Sequence, residues 1–289
     1  MVTKGEESYL NLLKDILENG ELRNTRNSVT ISDFSKKIDI DISESFPLLT
    51  TKKMYWKGIC SELLWFIHGK TDSKILENND VNIWKGNSSR EFLNSVGLNN
   101  YKEGDIGPMY GFQWRHFNAD YKGCESNYDG EGYDQLQDCI NLIKNDPSSR
   151  RIFMSAWNPT VLKKSVLAPC HLSYQFYVGK DNYLSCILYQ RSADTFLGLP
   201  FNIASVSLLV YILANMTDKK PGRISIIIGD AHIYEEHIEA VKTQLERAPF
   251  PFPQLRIKNK HNNINDYVYE DFEIINYQCH PTIKAKMVA

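Results

Sequence analysis

Two stretches of this chain constrain its fold more than any other feature: 55–69 (YWKGICSELLWFIHG) and 202–217 (NIASVSLLVYILANMT) are apolar on almost every side of a helix. A helix with a single apolar stripe lies on a surface, but one that is apolar all round has to be enclosed. The rest of the chain must therefore wrap both, and 289 residues are enough to do so. At that length well over half of the unfolded surface is buried on folding, so no disulfide or metal staple is required. No apolar run approaches the roughly 20 residues of a membrane span, and no membrane partner is expected.

The other elements follow from periodicity. Residues 6–19 place Tyr9, Leu10, Leu12, Leu13, Ile16 and Leu17 at helical spacing, with Gly20 as the stop. Residues 28–42 alternate as half-buried strands do, and 134–145 reads as a helix ended by Asp146-Pro147. Strands are expected at RIFMSAW, HLSYQFYV and YLSCILYQRS, then at RISIIIGD ahead of the helix YEEHIEAVKTQLER. Gly86–Gly132, rich in Asn, Tyr, Gly and Asp, is expected to run over the surface, where function often resides. No repeat or low-complexity linker divides the chain, so a single domain over 1–289 is expected. Without regular βαβ alternation the class is α+β, with a large mixed β-sheet packed by helices. One layer of helices leaves the other face of a mostly apolar sheet to pair with a second copy in a homodimer interface.

Charge and cysteine usage narrow the partners. The formal net charge is −2, so no overall basic field points to nucleic acid or a membrane surface, and an anion must be handled by a few local arginines. The cysteines at 60, 124, 139, 170, 186 and 279 form no C-x-x-C pair and no zinc-spaced set with histidine, so no metal is expected. With no secretory h-region at its start, the chain reads as cytoplasmic, with free thiols.

Four clusters carry chemistry. Cys170 lies in Leu-Ala-Pro-Cys-His at the mouth of an alternating run, where a proline fixes it and a cationic neighbour must favour its thiolate. His171 is expected to point away, because successive strand residues face opposite sides. Arg150-Arg151 and Arg191-Ser192 sit at expected strand edges, and Arg23 and Arg26 precede the first strand; guanidinium forks suit a phosphate dianion. QRSADTFLGLPFNIAS (190–205) packs Arg, Ser, Asp and Asn into a mostly apolar stretch with a Gly-x-Pro turn, and Asn202 offers both a donor and an acceptor. In GDAHIY (229–234), His232 and Tyr234 share a face and can read hydroxyls.

Together these segments resemble the thymidylate synthase family over nearly the whole chain. LAPCHLSYQFYV resembles the nucleophile motif, and QRSADTFLGLPFNIAS the nucleotide-binding stretch. FPLLTTKK, ELLWFIHG, DIGPMYGFQWRHF, SSRRIFMSAWNP, GDAHIYEEHIE and HPTIKAKMVA resemble further family blocks, in family order.

The resemblance implies reductive methylation of dUMP to dTMP, with 5,10-methylenetetrahydrofolate giving both the carbon and the hydride and no metal taking part. Cys170 would attack C6 of uracil. Arg26, Arg191, Ser192 and, from the other subunit of a homodimer, Arg150 and Arg151 would hold the phosphate. Asn202 would read the pyrimidine edge, and His232 and Tyr234 the ribose hydroxyl. Glu62, Tyr110 and Asn158 would belong to a polar network for proton transfers. Asp194 would bind the pterin beside the nucleotide, flanked by Ile83, Trp84, Leu197 and Phe201. Lys52 and the Ala289 carboxylate would help close the folate site.

One departure is plain. Where the family has a glycine-bearing Arg-Thr-Gly-x-Gly-Thr loop, this chain reads RNTRNSVT over 23–30, one residue shorter. Arg26 is the family arginine when counted from Gly20, and Arg23 is the other candidate. Losing both glycines removes backbone freedom from a phosphate-covering loop. A dCMP hydroxymethylase of the same fold would favour an acid at position 202, so the asparagine favours uracil. A paralogue that only binds RNA would have lost site residues, yet Cys170, Glu62, Asn202 and Arg191 are all present; RNA binding stays open as a side activity.

Overall fold

The computed structural model describes residues 2–26 and 28–288, so the expected Ala289 carboxylate lies outside the described residues. Helix α1 (Glu7–Asn19) buries Tyr9, Leu12, Leu13 and Ile16 as its spacing requires, and leads into strands β1 (Glu21–Asn24) and β2 (Val29–Asp41). The enclosed helix α2 (Trp56–Ile67) follows, then three short helices, α3 (Lys74–Glu77), α4 (Arg90–Ser95) and α5 (Gly111–Arg115). Helix α6 (Gln135–Asn145) starts at Asp134, whose side chain accepts the Gln137 N–H as an N-cap. After β3 (Phe153–Ser155), β4 (His171–Val178) and β5 (Tyr183–Asp194) comes the long helix α7 (Gly198–Met216). Strand β6 (Lys220–Tyr234), helix α8 (Ile238–Leu245) and a hairpin of β7 (Gln254–Ile257) with β8 (Phe272–Ile275) complete the order; that hairpin was not expected from the pattern.

The six-stranded sheet has the order β1-β2-β6-β5-β4-β3, with β5 and β6 parallel and the other neighbours antiparallel. It is the mixed sheet of the α+β expectation. Helix α7 packs on β5 and β6 and against α2, which encloses both all-apolar helices. On the other side of the sheet, Phe153, Tyr177, Ile187 and Tyr189 are exposed. Register puts the first three on one face, since Phe153 and Ile187 both stand opposite Gln175 and Tyr177 stands opposite Ser185.

Three expectations are corrected. Helix α7 starts at Gly198, so Gly198-Leu199-Pro200 is its first turn and not a separate turn; proline is tolerated there because that N–H has no partner within the helix. At 19 residues α7 is also long and apolar enough to cross a membrane by length and composition, against the expectation that no run came close; here most of it is buried inside the protein. Finally, 86–132 does not simply run over the surface. Ile106, Met109, Tyr110, Phe112, Gln113 and Trp114 are buried, because Gly111 lets α5 touch α2: a Cβ there would stand 2.3 Å from the Phe66 carbonyl oxygen.

Candidate active site

Cys170 ends the loop before β4, and its position is fixed through the backbone. Its N–H donates to the Tyr110 hydroxyl at 3.0 Å, and its carbonyl accepts the Arg191 N–H at 2.9 Å. The Arg191 guanidinium folds back over this loop, with Nε on the Pro169 carbonyl and Nη2 on the Ala168 carbonyl, both at 2.8 Å. Nη2 then stands 3.8 Å from Sγ of Cys170. Burial raises the thiol above its ordinary range, while the Arg191 charge and the Tyr110 hydroxyl pull it back. One guanidinium therefore opposes the desolvation of the nucleophile without outweighing it. His171 forms no dyad: Nδ1 meets the Tyr174 hydroxyl at 2.6 Å, the ring stacks on Tyr110 at 4.1 Å, and burial holds it down to about 3.

Tyr110 has φ 45°, the left-handed region a tyrosine rarely adopts. Such strain persists where the surroundings hold it, and here the ring is held by His171, Phe66 and Trp84. Glu62 projects from α2 and accepts the Trp84 indole N–H at 2.8 Å; burial lifts its carboxyl to about 7 against that hydrogen bond. A group that is half protonated near neutrality can both give and take protons. Asn158 is buried, its Nδ2 donating to Gln113 Oε1 at 3.2 Å while its Oδ1 accepts the Thr160 hydroxyl at 2.7 Å.

On the next layer, Asn202 of α7 is oriented by Gln190 of β5, whose Nε2 donates to Asn202 Oδ1 at 2.9 Å. Arg191 and Ser192 lie inside β5, not at its edge. His232 and Tyr234 close β6 with rings 5.1 Å apart, and Asp230 Oδ1 meets His232 Nδ1 at 3.0 Å. Arg23 forms an exposed ion pair with Asp230 at 3.4 Å, while Arg26 is exposed beyond the end of β1. Arg150 and Arg151 are exposed on the turn before β3, and neither guanidinium has a hydrogen bond or ion pair among the described residues.

Asp194 ends β5 and turns the chain into α7: its Oδ1 accepts the N–H groups of Phe196 at 2.9 Å and Leu197 at 3.1 Å. Burial raises this carboxyl, but the buried His237 and those N–H groups outweigh it and hold it below the usual range. Leu197, Phe201 and Ile83 are partly buried against the core, and Trp84 is buried. Lys52 is buried as well, its Nζ bonded to the Phe196 carbonyl and 3.7 Å from the Phe196 ring centroid; burial lowers it to about 7, opposed by Asp194 and Glu6. No group of metal-binding residues occurs among the described residues.

Four partners had no role in the sequence reading: Gln190, Gln113, Asp230 and His237. Each is a polar side chain inside a block already singled out, and clustering of buried polar groups was the available signal.

A family profile described as thymidylate synthase matches residues 7–289. The chain is 51% identical to the thymidylate synthase of Homo sapiens, over 98% of this chain and 90% of that protein. It is 50% identical to the bifunctional dihydrofolate reductase-thymidylate synthases of Zea mays and Leishmania major, over 98% of this chain but 54% and 55% of theirs. The chain thus spans about half the length of those bifunctional relatives.

Proposed function

This chain belongs to the thymidylate synthase family, and on that premise we propose that it converts dUMP to dTMP with 5,10-methylenetetrahydrofolate, releasing dihydrofolate. The observation that carries the reading is the Arg191 guanidinium beside Sγ of Cys170, on the loop that Tyr110 holds.

In this reading the thiolate of Cys170 bonds to C6 of uracil and the displaced electron pair moves toward C5 and O4. Asn202, its carbonyl oxygen already engaged by Gln190, turns its amide N–H₂ toward O4 and stabilises that charge as an oxyanion site does. Glu62, Tyr110 and Asn158 move or order protons around the ring. Arg191, Ser192 and Arg26 hold the phosphate, and His232 and Tyr234 the ribose. The folate supplies the one-carbon unit and the hydride when bound; Asp194 and the apolar group of Ile83, Trp84, Leu197 and Phe201 receive its pterin, with Lys52 and Ala289 at the closing end.

The working unit in this proposal is a homodimer of one-domain chains. The exposed Phe153, Tyr177 and Ile187 on one sheet face support it, since single exposed apolar side chains are ordinary but a contiguous face is an interface feature. The dimer would bring Arg150 and Arg151, both exposed on the turn before β3, to the partner's phosphate site. Incubation with dUMP and methylenetetrahydrofolate, followed by dihydrofolate absorbance, tests the activity; no dihydrofolate from folded protein would overturn it.

A further inference from the structure

The last stretch of the chain is held at three points through its backbone, besides the His280 ring, whose Nε2 meets the Ala248 carbonyl at 2.8 Å. The His280 N–H donates to the Thr50 carbonyl at 2.8 Å, Arg247 Nη1 holds the Pro281 carbonyl at 2.7 Å, and His237 Nε2 meets the Lys286 carbonyl at 2.7 Å. The first two anchors sit on a rigid base, because the buried Glu6 carboxylate accepts from Thr50 and Thr51 and Gln244 Nε2 donates to Thr51. The third differs. His237 is fully buried, its Nδ1 makes no hydrogen bond among the described residues, and the charge that nitrogen faces is Asp194 Oδ1 at 3.7 Å.

We propose that His237 is a positioning residue that couples docking of the C-terminal segment, through the Lys286 carbonyl, to the carboxylate of Asp194. The inference rests on the reading above, in which Asp194 receives the pterin. Its physical basis is the proton count of imidazole. A neutral ring has one N–H and serves either the carbonyl or the carboxylate; a protonated ring has two and serves both. A docked segment and an ionised Asp194 therefore favour the same protonated state, and each favours the other.

The groups that face this ring are Asp194 from the end of β5, Glu236 from its own turn, the Tyr234 and Phe196 rings, and the Lys286 backbone; Lys52 lies beyond Phe196. Burial lowers the imidazole, but Asp194, the Lys286 carbonyl and Glu236 outweigh it and raise it above 6.5. A raised base contributes fully below its unfolded value and is lost as pH rises through the folded one. Protection of the segment should accordingly fall as pH rises past that point.

The test uses the full chain, free of ligand for the hydrogen exchange and with both substrates for the kinetics. Hydrogen exchange of residues 284–288 is read as protection factors across pH, beside the KM values for folate and dUMP. Wild type should lose protection as pH rises. His237→Gln keeps a donor for the Lys286 carbonyl but has no charge to lose, so its protection should be flat with pH. His237→Phe should lower protection and raise the folate KM by about tenfold, with the dUMP KM unchanged. A wild-type segment indifferent to pH, or a Gln variant that follows the wild-type curve, overturns the proposal. A Phe variant with wild-type protection does so too, and if that variant does not fold, the Gln variant decides. A wild type that makes no dihydrofolate removes the folate reading instead, which is a separate outcome.

Discussion

The indole Nε1 of Trp84 donates to Glu62 Oε1 at 2.8 Å, joining a residue of the proposed pterin pocket to the proposed proton-transfer carboxylate. Burial lifts that carboxyl to about 7, above the usual glutamate range. The folded chain thus keeps a proton that the unfolded chain releases. The stabilisation is full below the unfolded value of about 4.3 and is lost as pH rises through about 7. Glu62→Gln should flatten that pH slope, worth roughly 1.4 kcal/mol per pH unit in between, as measured by urea unfolding. It should also lower kcat by about 10²- to 10⁴-fold. An unchanged slope would show that this carboxyl is not held protonated.

Cys170→Ala should abolish dTMP formation while dUMP binding survives, since Arg191 holds its own loop through Pro169 and Ala168. With 5-fluoro-dUMP and the folate, wild type should form a covalent ternary complex seen by mass, and the variant none. Near-normal turnover in the variant would rule out the thiol as nucleophile.

Asn202→Asp should weaken dUMP turnover by about 1–3 kcal/mol and improve relative use of dCMP, because the carboxyl changes the edge pattern shown to the base. The ratio of the two kcat/KM values is the readout. If it does not move, the base is read by another group.

Arg26→Ala should raise the dUMP KM more than Arg23→Ala. The Arg23 guanidinium is already turned to Asp230 at 3.4 Å, an exposed pair worth little to stability. The reverse ranking would assign the phosphate to Arg23.

Mixing inactive Cys170→Ala subunits with inactive Arg151→Glu subunits should restore roughly a quarter of wild-type activity once they reassort. About half of the dimers are then mixed, and each has one intact site. Proven exchange without recovery would return Arg151 to its own chain's site.

Much of the fold was legible beforehand. The alternation of HLSYQFYV matches β4 residue for residue, and α1 and α6 lie within one residue of the periodic runs. The misreadings have a common cause. Gly198 and Pro200 carry local turn signals, yet burial of the apolar run behind them draws both into α7. The polar composition of 86–132 suggested the surface, yet its Tyr110, Phe112 and Trp114 fill space beside α2. Local propensity is a small free energy, and enclosure of large side chains overrides it.

The sequence by itself determined most of the long elements and the reactive groups, because periodicity and residue type are local properties: the thiol at 170, the arginine at 191, the carboxyls at 62 and 194. Only the tertiary structure decided which neighbour holds each one. Trp84 reaches Glu62 across 22 residues, Gln113 reaches Asn158 across 45, and Lys286 reaches His237 across 49. A hydrogen bond acts over about 3 Å, and no spacing in the chain reveals which distant groups the packing will bring that close.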